Sequence, residues 1–211
     1  KRYGLWLIRD AGTKVSKLEV KGLDIIRSNF PEAFRTFMRQ FLMNILEFKS
    51  KDEIDVDVMD FKKNLEVLAI HDIALPTGVK KLSKYIEKHS INIFGSNQGG
   101  FTKPVKGTPV HVKSAIAYND MLEHFNLEKK YEGIANGSKI KWVYLKQNPL
   151  NLKTIAFKGY EDPDEIMSWI STYIDRDKIF QGALEKKINL FYSAMRWTLP
   201  VDKINTLERF F

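Results

Sequence analysis

The sequence predicts an α+β fold: a mainly helical domain with a small β-hairpin at the N-terminus and a second short hairpin in the C-terminal half. Two observations predict it. Short β-prone runs flank turn-forming residues at both places, and apolar residues elsewhere recur at helical spacing. The 211 residues are 44% hydrophobic and 12% aromatic, enough to build a core, which excludes an intrinsically disordered chain.

The N-terminal segment predicts a hairpin followed by a helix. Residues 3–9 and 15–21 are apolar-rich and β-prone, and residues 10–13 between them favour a turn. Pro31 then stands where a helix begins, with Ser28 or Asn29 as its cap. Apolar residues recur at helical spacing over the next four to five turns, which indicates one amphipathic helix.

The middle of the chain predicts further helices around one long loop. Weaker apolar periods at 59–68 and 79–86 indicate two helices. Residues 95–107 hold four glycines and a proline and predict a loop of functional length. A helical pattern resumes over residues 109–125.

The C-terminal half predicts a second hairpin and two more helices. Residues 139–146 and 154–158 have the composition of antiparallel partners. Asp162 followed by a proline and a later carboxylate is a strong helix start, with the aspartate as cap. Helices are therefore expected over 163–174 and about 178–196.

Charge is distributed unevenly along the chain. The net charge is +8, from 34 Lys and Arg against 26 Asp and Glu. Residues 1–27, 77–115 and 139–158 carry net charges of +4, +6 and +5, whereas residues 47–72 carry −4. A basic surface localised in this way favours a polyanion as partner.

The glycine-rich loop at 95–107 is the best candidate for phosphate contact. Its small residues let backbone amides, Lys103 and Lys106 approach a phosphate closely. Lys80 and Lys84 fall on a predicted helix, where a merely solvated face is the open alternative. Phosphate contacts predict binding that weakens steeply with salt and depends little on base sequence.

The sequence contains no complete catalytic or metal site. It has no cysteine, which excludes disulfides, thiolate metal ligands and a cysteine nucleophile, and which favours an intracellular compartment. Phosphate-loop, dinucleotide-binding, metalloprotease and nucleophile-elbow motifs are absent. The four histidines are scattered, and the acidic run at 52–60 lacks the glycine and closing glutamate of a calcium loop. No apolar run approaches the roughly 20 residues that a membrane span requires.

Five short segments in colinear order carry a resemblance to a known family. Residues 1–5 (KRYGL) and 21–24 (KGLD) flank the first hairpin, and residues 99–101 (GGF), 109–113 (PVHVK) and 117–119 (AYN) lie in and after the long loop. Together they resemble the palm edge and thumb of family B DNA polymerases, in particular the replicative enzymes of T-even-type bacteriophages. The resemblance covers the whole chain and is weakest over 47–68 and after 175.

This resemblance implies DNA-binding roles for particular residues. Lys1 and Tyr3 match a Lys-x-Tyr pair that steadies the primer strand, with Arg2 between them reaching phosphate. Lys113 stands where the family has arginine, which keeps the charge without the bidentate geometry, and Ser114 replaces a glycine. Charge and resemblance together give the predicted DNA-binding set: Lys1, Arg2, Tyr3, Lys21, Lys80, Lys84, Lys103, Lys106, His111 and Lys113.

The resemblance also implies where the chemistry lies. The family's metal-binding aspartates belong to motifs upstream of Lys1, so the chain is expected to hold no catalytic residue and no cofactor of its own. The Mg²⁺ ions of an intact polymerase would be bound by that upstream part.

The last residues resemble the sliding-clamp-binding tails of replicative polymerases. Leu207, Phe210 and Phe211 lie on one side of a short helical turn, a spacing that suits an apolar pocket. Ile204 stands where the wider motif commonly has glutamine. The alternative is a segment that folds back on its own core, although its terminal position after Pro200 favours an extended tail.

The sequence hypothesis is a C-terminal fragment of a replicative DNA-directed DNA polymerase, a nucleotidyltransferase by family but inactive alone. We expect a palm-edge hairpin at 1–27, a thumb domain at 28–197 that grips primer–template duplex, and a clamp-binding tail at 198–211. The chain opens in a strand-like segment, so a palm and exonuclease portion is expected upstream. Two alternatives stay open: an independent basic nucleic-acid-binding module, or a clamp-interaction module without polymerase activity. We expect no membrane partner and an intracellular location, the host cytoplasm if the protein is viral.

Overall fold

The computed structural model describes residues 3–10, 12–21, 23, 29–86, 101–102 and 104–200. Within these ranges the chain divides into two compact units. The first contains the described residues up to 73 and from 180 onwards, and the second is the continuous stretch from 74 to 179. Helices occur together with two small antiparallel sheets, so the predicted α+β class is confirmed.

The first unit opens with the predicted hairpin. Strands β1 (Tyr3–Asp10) and β2 (Thr13–Lys21) pair antiparallel, with a register shift between Leu7 and Arg9. Gly12 in the turn has φ +85°, a conformation that glycine adopts without the steric penalty of a side chain. The hairpin was thus predictable from two β-prone runs and their turn.

Helices of the first unit pack around a cluster of aromatic rings. They are α1 (Glu32–Leu46), α2 (Lys51–Asn64), the short α3 (Ile70–Ile73) and, near the C-terminus, α8 (Lys186–Ala194). The rings of Phe37 and Phe61 stack with centroids 4.2 Å apart, and Phe41 lies 6.2 Å from Tyr192 in a parallel arrangement. Aromatic burial of this kind joins α1 to both α2 and α8.

A polar network crosses the same interface between helices. The Tyr192 hydroxyl donates to Asp55 Oδ1 at 2.7 Å, and Lys51 forms an ion pair with the same carboxylate. Asn44 on α1 donates from Nδ2 to Asp57 Oδ2 at 2.6 Å. Burial and the nearby Asp55 carboxylate raise the pKa of Tyr192, so this hydroxyl keeps its proton and remains a donor.

The second unit is a three-stranded sheet with helices packed on it. Its strands are β3 (Leu75–Gly78), β4 (Lys139–Tyr144) and β5 (Thr154–Phe157), and its helices are α4 (Leu82–Ile86), α5 (Val110–His124), α6 (Asp164–Tyr173) and most of α7 (Arg176–Phe180). The order is β3-β4-β5, antiparallel throughout. All four residues of β5 are buried, and α5 packs against this strand.

Two sequence expectations about these elements are wrong. Residues 75–78 form an edge strand where the sequence predicts none, so the second hairpin is part of a three-stranded sheet. The last predicted helix is interrupted by a π-helical segment, Gln181–Glu185, before α8. Helix α2 begins inside the acidic run, at Lys51, because Ser50 and Glu53 form a capping box.

Two predicted helix caps are also wrong. Pro31 is itself the N-cap of α1 and no side chain caps that end; Ser28 lies outside the described residues. Pro163 is the N-cap of α6, again without a side-chain cap. Asp162 instead accepts hydrogen bonds from the backbone N–H groups of Lys158 and Gly159, at 2.8 and 2.6 Å, and so organises the turn after β5.

Among the residues described, no helix is long and apolar enough to cross a membrane.

Candidate nucleic-acid interface

Helix α5 is the element that positions the candidate site. Pro109 is its N-cap, with φ −57°, a value that proline holds without further cost. The helix ends in a Schellman motif: Asn126, at φ +57°, donates its N–H to Glu123 O, and Leu127 N–H donates to Leu122 O. Because most of its side chains are buried, α5 is a rigid support.

A groove of about 520 Å³ runs beside α5, and we call it the α5 groove. It is lined by Phe101, Thr102, Pro104, Lys113, Ala117, Asp120, Leu150, Asn151, Leu152, Lys153 and Thr154. Five of these eleven residues are apolar and supply much of the groove's apolar surface, while Lys113 and Lys153 are exposed. An apolar groove with cationic residues at its margin suits an anionic ligand that also has an uncharged face.

One wall of the groove is fixed to α5 by a buried carboxylate. Asp120 is only 9% exposed and accepts from the backbone N–H of Thr102 at 2.6 Å and from its hydroxyl at 2.9 Å. Phe101, 2% exposed, lies beside His124 with ring centroids 5.6 Å apart. These contacts fix Phe101 and Thr102 against α5.

Burial controls the charge state of Asp120. Removal of the carboxylate from water raises its pKa to about 6, although the two bonds from Thr102 favour the charged form and act in the opposite direction. The exposed Glu123 adds a smaller repulsion in the same sense as burial. The group is therefore largely ionised at pH 7, and both its oxygens are already engaged.

The opposite wall is a loop held by one asparagine. Asn148 Nδ2 donates to Lys146 O at 2.9 Å and to Leu152 O at 2.6 Å, and its Oδ1 accepts from Leu152 N–H at 3.1 Å. Asn151, at φ +57°, reverses the chain inside this loop. The result is that Lys153 is presented on a defined backbone rather than on a free loop.

The Ala117-Tyr118-Asn119 segment has structural roles. Asn119 donates from Nδ2 to Ile134 O at 3.0 Å and accepts from Ile134 N–H at 2.7 Å, which fixes the chain after α5. Gly133 approaches this amide so closely that an added Cβ would lie 3.0 Å from Asn119 Oδ1. Tyr118 is fully buried. Neither side chain is available to a ligand.

Of the predicted DNA-binding residues that the structure describes in the second unit, only some lie at the α5 groove. Lys113 lines it, and Lys106 is exposed in the turn just before α5. His111 is half-buried, and burial lowers its pKa, so it is a neutral hydrogen-bonding group at pH 7 and not a cation. Lys80 and Lys84 are exposed near β3 and on α4 but do not line the groove.

The remaining predicted residues lie elsewhere or outside the description. In the first unit, Lys21 is exposed at the end of β2, where its backbone pairs with that of Tyr3. The following predicted residues lie outside the described ranges: Lys1, Arg2, Lys103, Leu207, Phe210 and Phe211.

Sequence reasoning missed three residues that build the site. Lys153 was counted only as part of a basic stretch, and Asp120 and Asn148 were not singled out. The Asn-Pro pair at 148–149 is a turn-initiating sequence and could have indicated the ordered loop. Nothing in the sequence joins Asp120 to Thr102, because that contact forms only in the folded chain.

No group of three or more His, Asp or Glu side chains in the described part of the chain is arranged to hold an ion. Comparisons of the sequence with protein-family models and with curated proteins gave no match.

Proposed function

We propose that this chain is the palm-edge and thumb portion of a family B DNA polymerase and that it grips primer–template duplex through phosphate contacts at the α5 groove. The observation that carries the proposal is the placement of two exposed lysines, Lys113 and Lys153, on walls that are separately anchored to the fold. Because the backbone around both lysines is anchored, only the freedom of their side chains is lost when they contact a phosphate.

Electrostatics around the start of α5 support the same ligand. The first turn of this 15-residue helix contains no acidic residue, and the exposed Lys106 precedes it. The N-terminus of a helix carries a partial positive charge and unsatisfied N–H groups, both favourable to phosphate. The exposed lysines and the N-terminus of α5 therefore both favour binding of phosphate oxygens.

The colinear resemblance is what makes duplex DNA in a polymerase the preferred ligand among polyanions. A thumb contributes grip and position, and the two-metal chemistry would belong to the palm. The C-terminal Leu207, Phe210 and Phe211 would tether the enzyme to a sliding clamp and raise processivity through effective concentration.

Fluorescence anisotropy with labelled primer–template, blunt duplex and single strand tests the proposal, each titrated at low and moderate salt. We expect tighter binding to the two duplex ligands, with affinity that falls steeply as salt rises. Lys113→Ala, Lys153→Ala and Lys106→Ala should each weaken binding several-fold and reduce the slope of log K against log salt by about 1.

Lys129→Ala is the matched control, because Lys129 is an exposed lysine of the same unit that does not line the groove. It removes the same charge and should leave the salt slope nearly unchanged. Absence of binding at low salt, or equal losses from Lys129→Ala and Lys113→Ala, would contradict a localised phosphate interface at the groove.

A further inference from the structure

The α5 groove is larger than phosphate contacts alone require. Its volume of about 520 Å³ falls within the range of about 300–1,000 Å³ that is typical of small-molecule sites. Contacts to the backbone of a duplex come from exposed side chains and need no cavity, because phosphates lie on the outside of the double helix. The concave, partly apolar groove therefore has space for a chemical group other than a phosphate.

One face of α5 gives the groove two different ends. Lys113, Ala117 and Asp120 are at positions i, i+4 and i+7 and so lie on one face of the helix. Seven residues correspond to about 10.5 Å along the helix axis. The small side chain of Ala117 leaves the space between the lysine and the carboxylate open. An anionic group is attracted to the Lys113 end and repelled from the Asp120 end.

Thr154, the first residue of β5, brings an unpartnered hydroxyl to the groove. The residue is only 9% exposed, and its hydroxyl forms no hydrogen bond within the described part of the chain. A buried polar group without a partner costs free energy, and such groups in native structures are normally satisfied. This hydroxyl is therefore free to bond a ligand that enters the groove.

The two lysines of the groove are also without partners. Within the described ranges, neither Lys113 nor Lys153 forms an ion pair or a side-chain hydrogen bond. They belong to the two most basic stretches of the chain, residues 77–115 and 139–158, which carry +6 and +5. Because no carboxylate neutralises them, both attract an anionic group. The groove thus combines free cations, an apolar surface and a free hydroxyl.

A nucleotide with an unpaired base matches this combination. Its phosphate suits the lysines, and the faces of its base suit the apolar side chains of Pro104, Leu150 and Leu152. The edge of an unpaired base also carries donors and acceptors that can bond a hydroxyl. A base inside a duplex cannot enter the groove, because its faces are stacked and its edge is paired.

We propose that the α5 groove holds one unpaired nucleotide of the bound DNA. Its phosphate contacts Lys113 and Lys153 at the cationic end of the groove. Its base lies against Leu150 and Leu152, with one edge at the Thr154 hydroxyl. This inference rests on the proposed function, because it takes DNA as the ligand. It adds that the chain distinguishes an unpaired end from a blunt one, which duplex grip alone does not predict.

Fluorescence anisotropy at low salt tests the inference with three duplexes of equal paired length. One is blunt, one carries a single unpaired nucleotide, and one carries an abasic residue at the same place, which keeps the sugar and phosphate without the base. The overhang is placed at the 3′ end and, in a second set, at the 5′ end. For one of these ends, we expect the base to strengthen binding at least about fivefold relative to the abasic duplex of equal charge.

Thr154→Val keeps the branched shape of the side chain and removes the hydroxyl. Because that hydroxyl has no partner within the described residues, the thermal midpoint should not fall. The variant should reduce the advantage of the overhang over the abasic duplex about threefold and leave the affinity for the abasic duplex unchanged. Thr77→Val is the matched control, since it makes the same change in β3 of the same sheet without touching the groove lining.

The outcomes separate this inference from the proposed function. Equal affinity for the overhang and abasic duplexes overturns the inference, even where both bind with the salt dependence that duplex grip requires. An advantage of the overhang that Thr154→Val leaves unchanged also overturns it, because the base is then bound elsewhere. Binding of the overhang without binding of the blunt duplex supports the nucleotide site and contradicts the grip. Absence of binding to all three duplexes overturns both.

Discussion

Replacement of Asp120 by asparagine should change how stability depends on pH. The pKa of Asp120 is raised from 3.8 to about 6 because the carboxylate is buried, so the folded protein binds a proton more tightly than the unfolded chain. This group therefore stabilises the fold fully below about pH 4, and that contribution is lost as the pH rises through about 6.

The size of the effect follows from the shift. A difference of about 2 pKa units corresponds to about 3 kcal/mol. Residual solvent around the carboxylate screens part of it, so we expect the free energy of unfolding to fall by about 1–2 kcal/mol through this group. Asparagine is neutral throughout and still accepts from Thr102 N–H through Oδ1 while donating to the Thr102 hydroxyl.

Urea unfolding of the parent and of Asp120→Asn at pH 5 and pH 8 measures this difference, since all other titrating groups cancel between the two proteins. The parent should lose about 0.5–1 kcal/mol relative to the variant between the two pH values, because about half of the contribution is already lost at pH 5. Glu123→Gln removes an exposed carboxylate on the same helix and should change the pH dependence far less. Equal pH dependence in parent and Asp120→Asn, or a parent that gains relative stability at pH 8, would refute the reasoning.

Three further substitutions test the fold, each by urea unfolding at pH 7. Tyr192→Phe should lower the free energy of unfolding by about 1–2 kcal/mol, because Asp55 loses a hydrogen-bond donor in a partly buried site; no change would show the bond to be dispensable. Asn119→Ala should lower it by about 2 kcal/mol, since it leaves the N–H and carbonyl of Ile134 unpaired, whereas a loss below about 0.5 kcal/mol would indicate that water replaces the amide. Phe48 follows α1 at φ +59° and is 94% exposed, so Phe48→Gly should raise it by about 0.5–1 kcal/mol through relief of left-handed strain, and a decrease would mean that the ring stabilises the fold.

The elements that sequence predicts well are those determined by neighbouring residues. The first hairpin needs only its two β-prone runs and a glycine at positive φ, and α5 needs a proline at its start and a long apolar period. The capping box at Ser50 and Glu53 is equally local, and it begins α2 inside the acidic run. These elements are encoded within a few residues of where they form.

Strand β3 shows where local reasoning fails. Its four residues, Leu-Pro-Thr-Gly, contain two strand-breaking types and favour a turn in isolation. They form a strand because β4 offers a free edge, and proline is tolerated at an edge position. The sequence of residues 75–78 alone does not indicate that they pair with β4.

The candidate site likewise has residues that the sequence indicates and residues that only the folded structure reveals. Charge and loop composition indicated Lys106 and Lys113, since exposed basic residues can be read from the sequence. The side chains that anchor the walls, Asp120 and Asn148, could not be ranked, because their role depends on hydrogen bonds to backbone brought near by folding. The sequence therefore indicates the basic residues of the site but not the side chains that fix the backbone around them.

The division of the chain into two units has a consequence for the order of folding during synthesis. The second unit is continuous, so all of its strands and its helices α4 to α6 are synthesised before residue 180, and it can fold without the C-terminal segment. The first unit cannot be completed until α8 emerges, because Phe41 needs the Tyr192 ring and Asp55 needs the Tyr192 hydroxyl. Until then the faces of α1 and α2 that await α8 are exposed to water, and a ribosome stalled before α8 would display them.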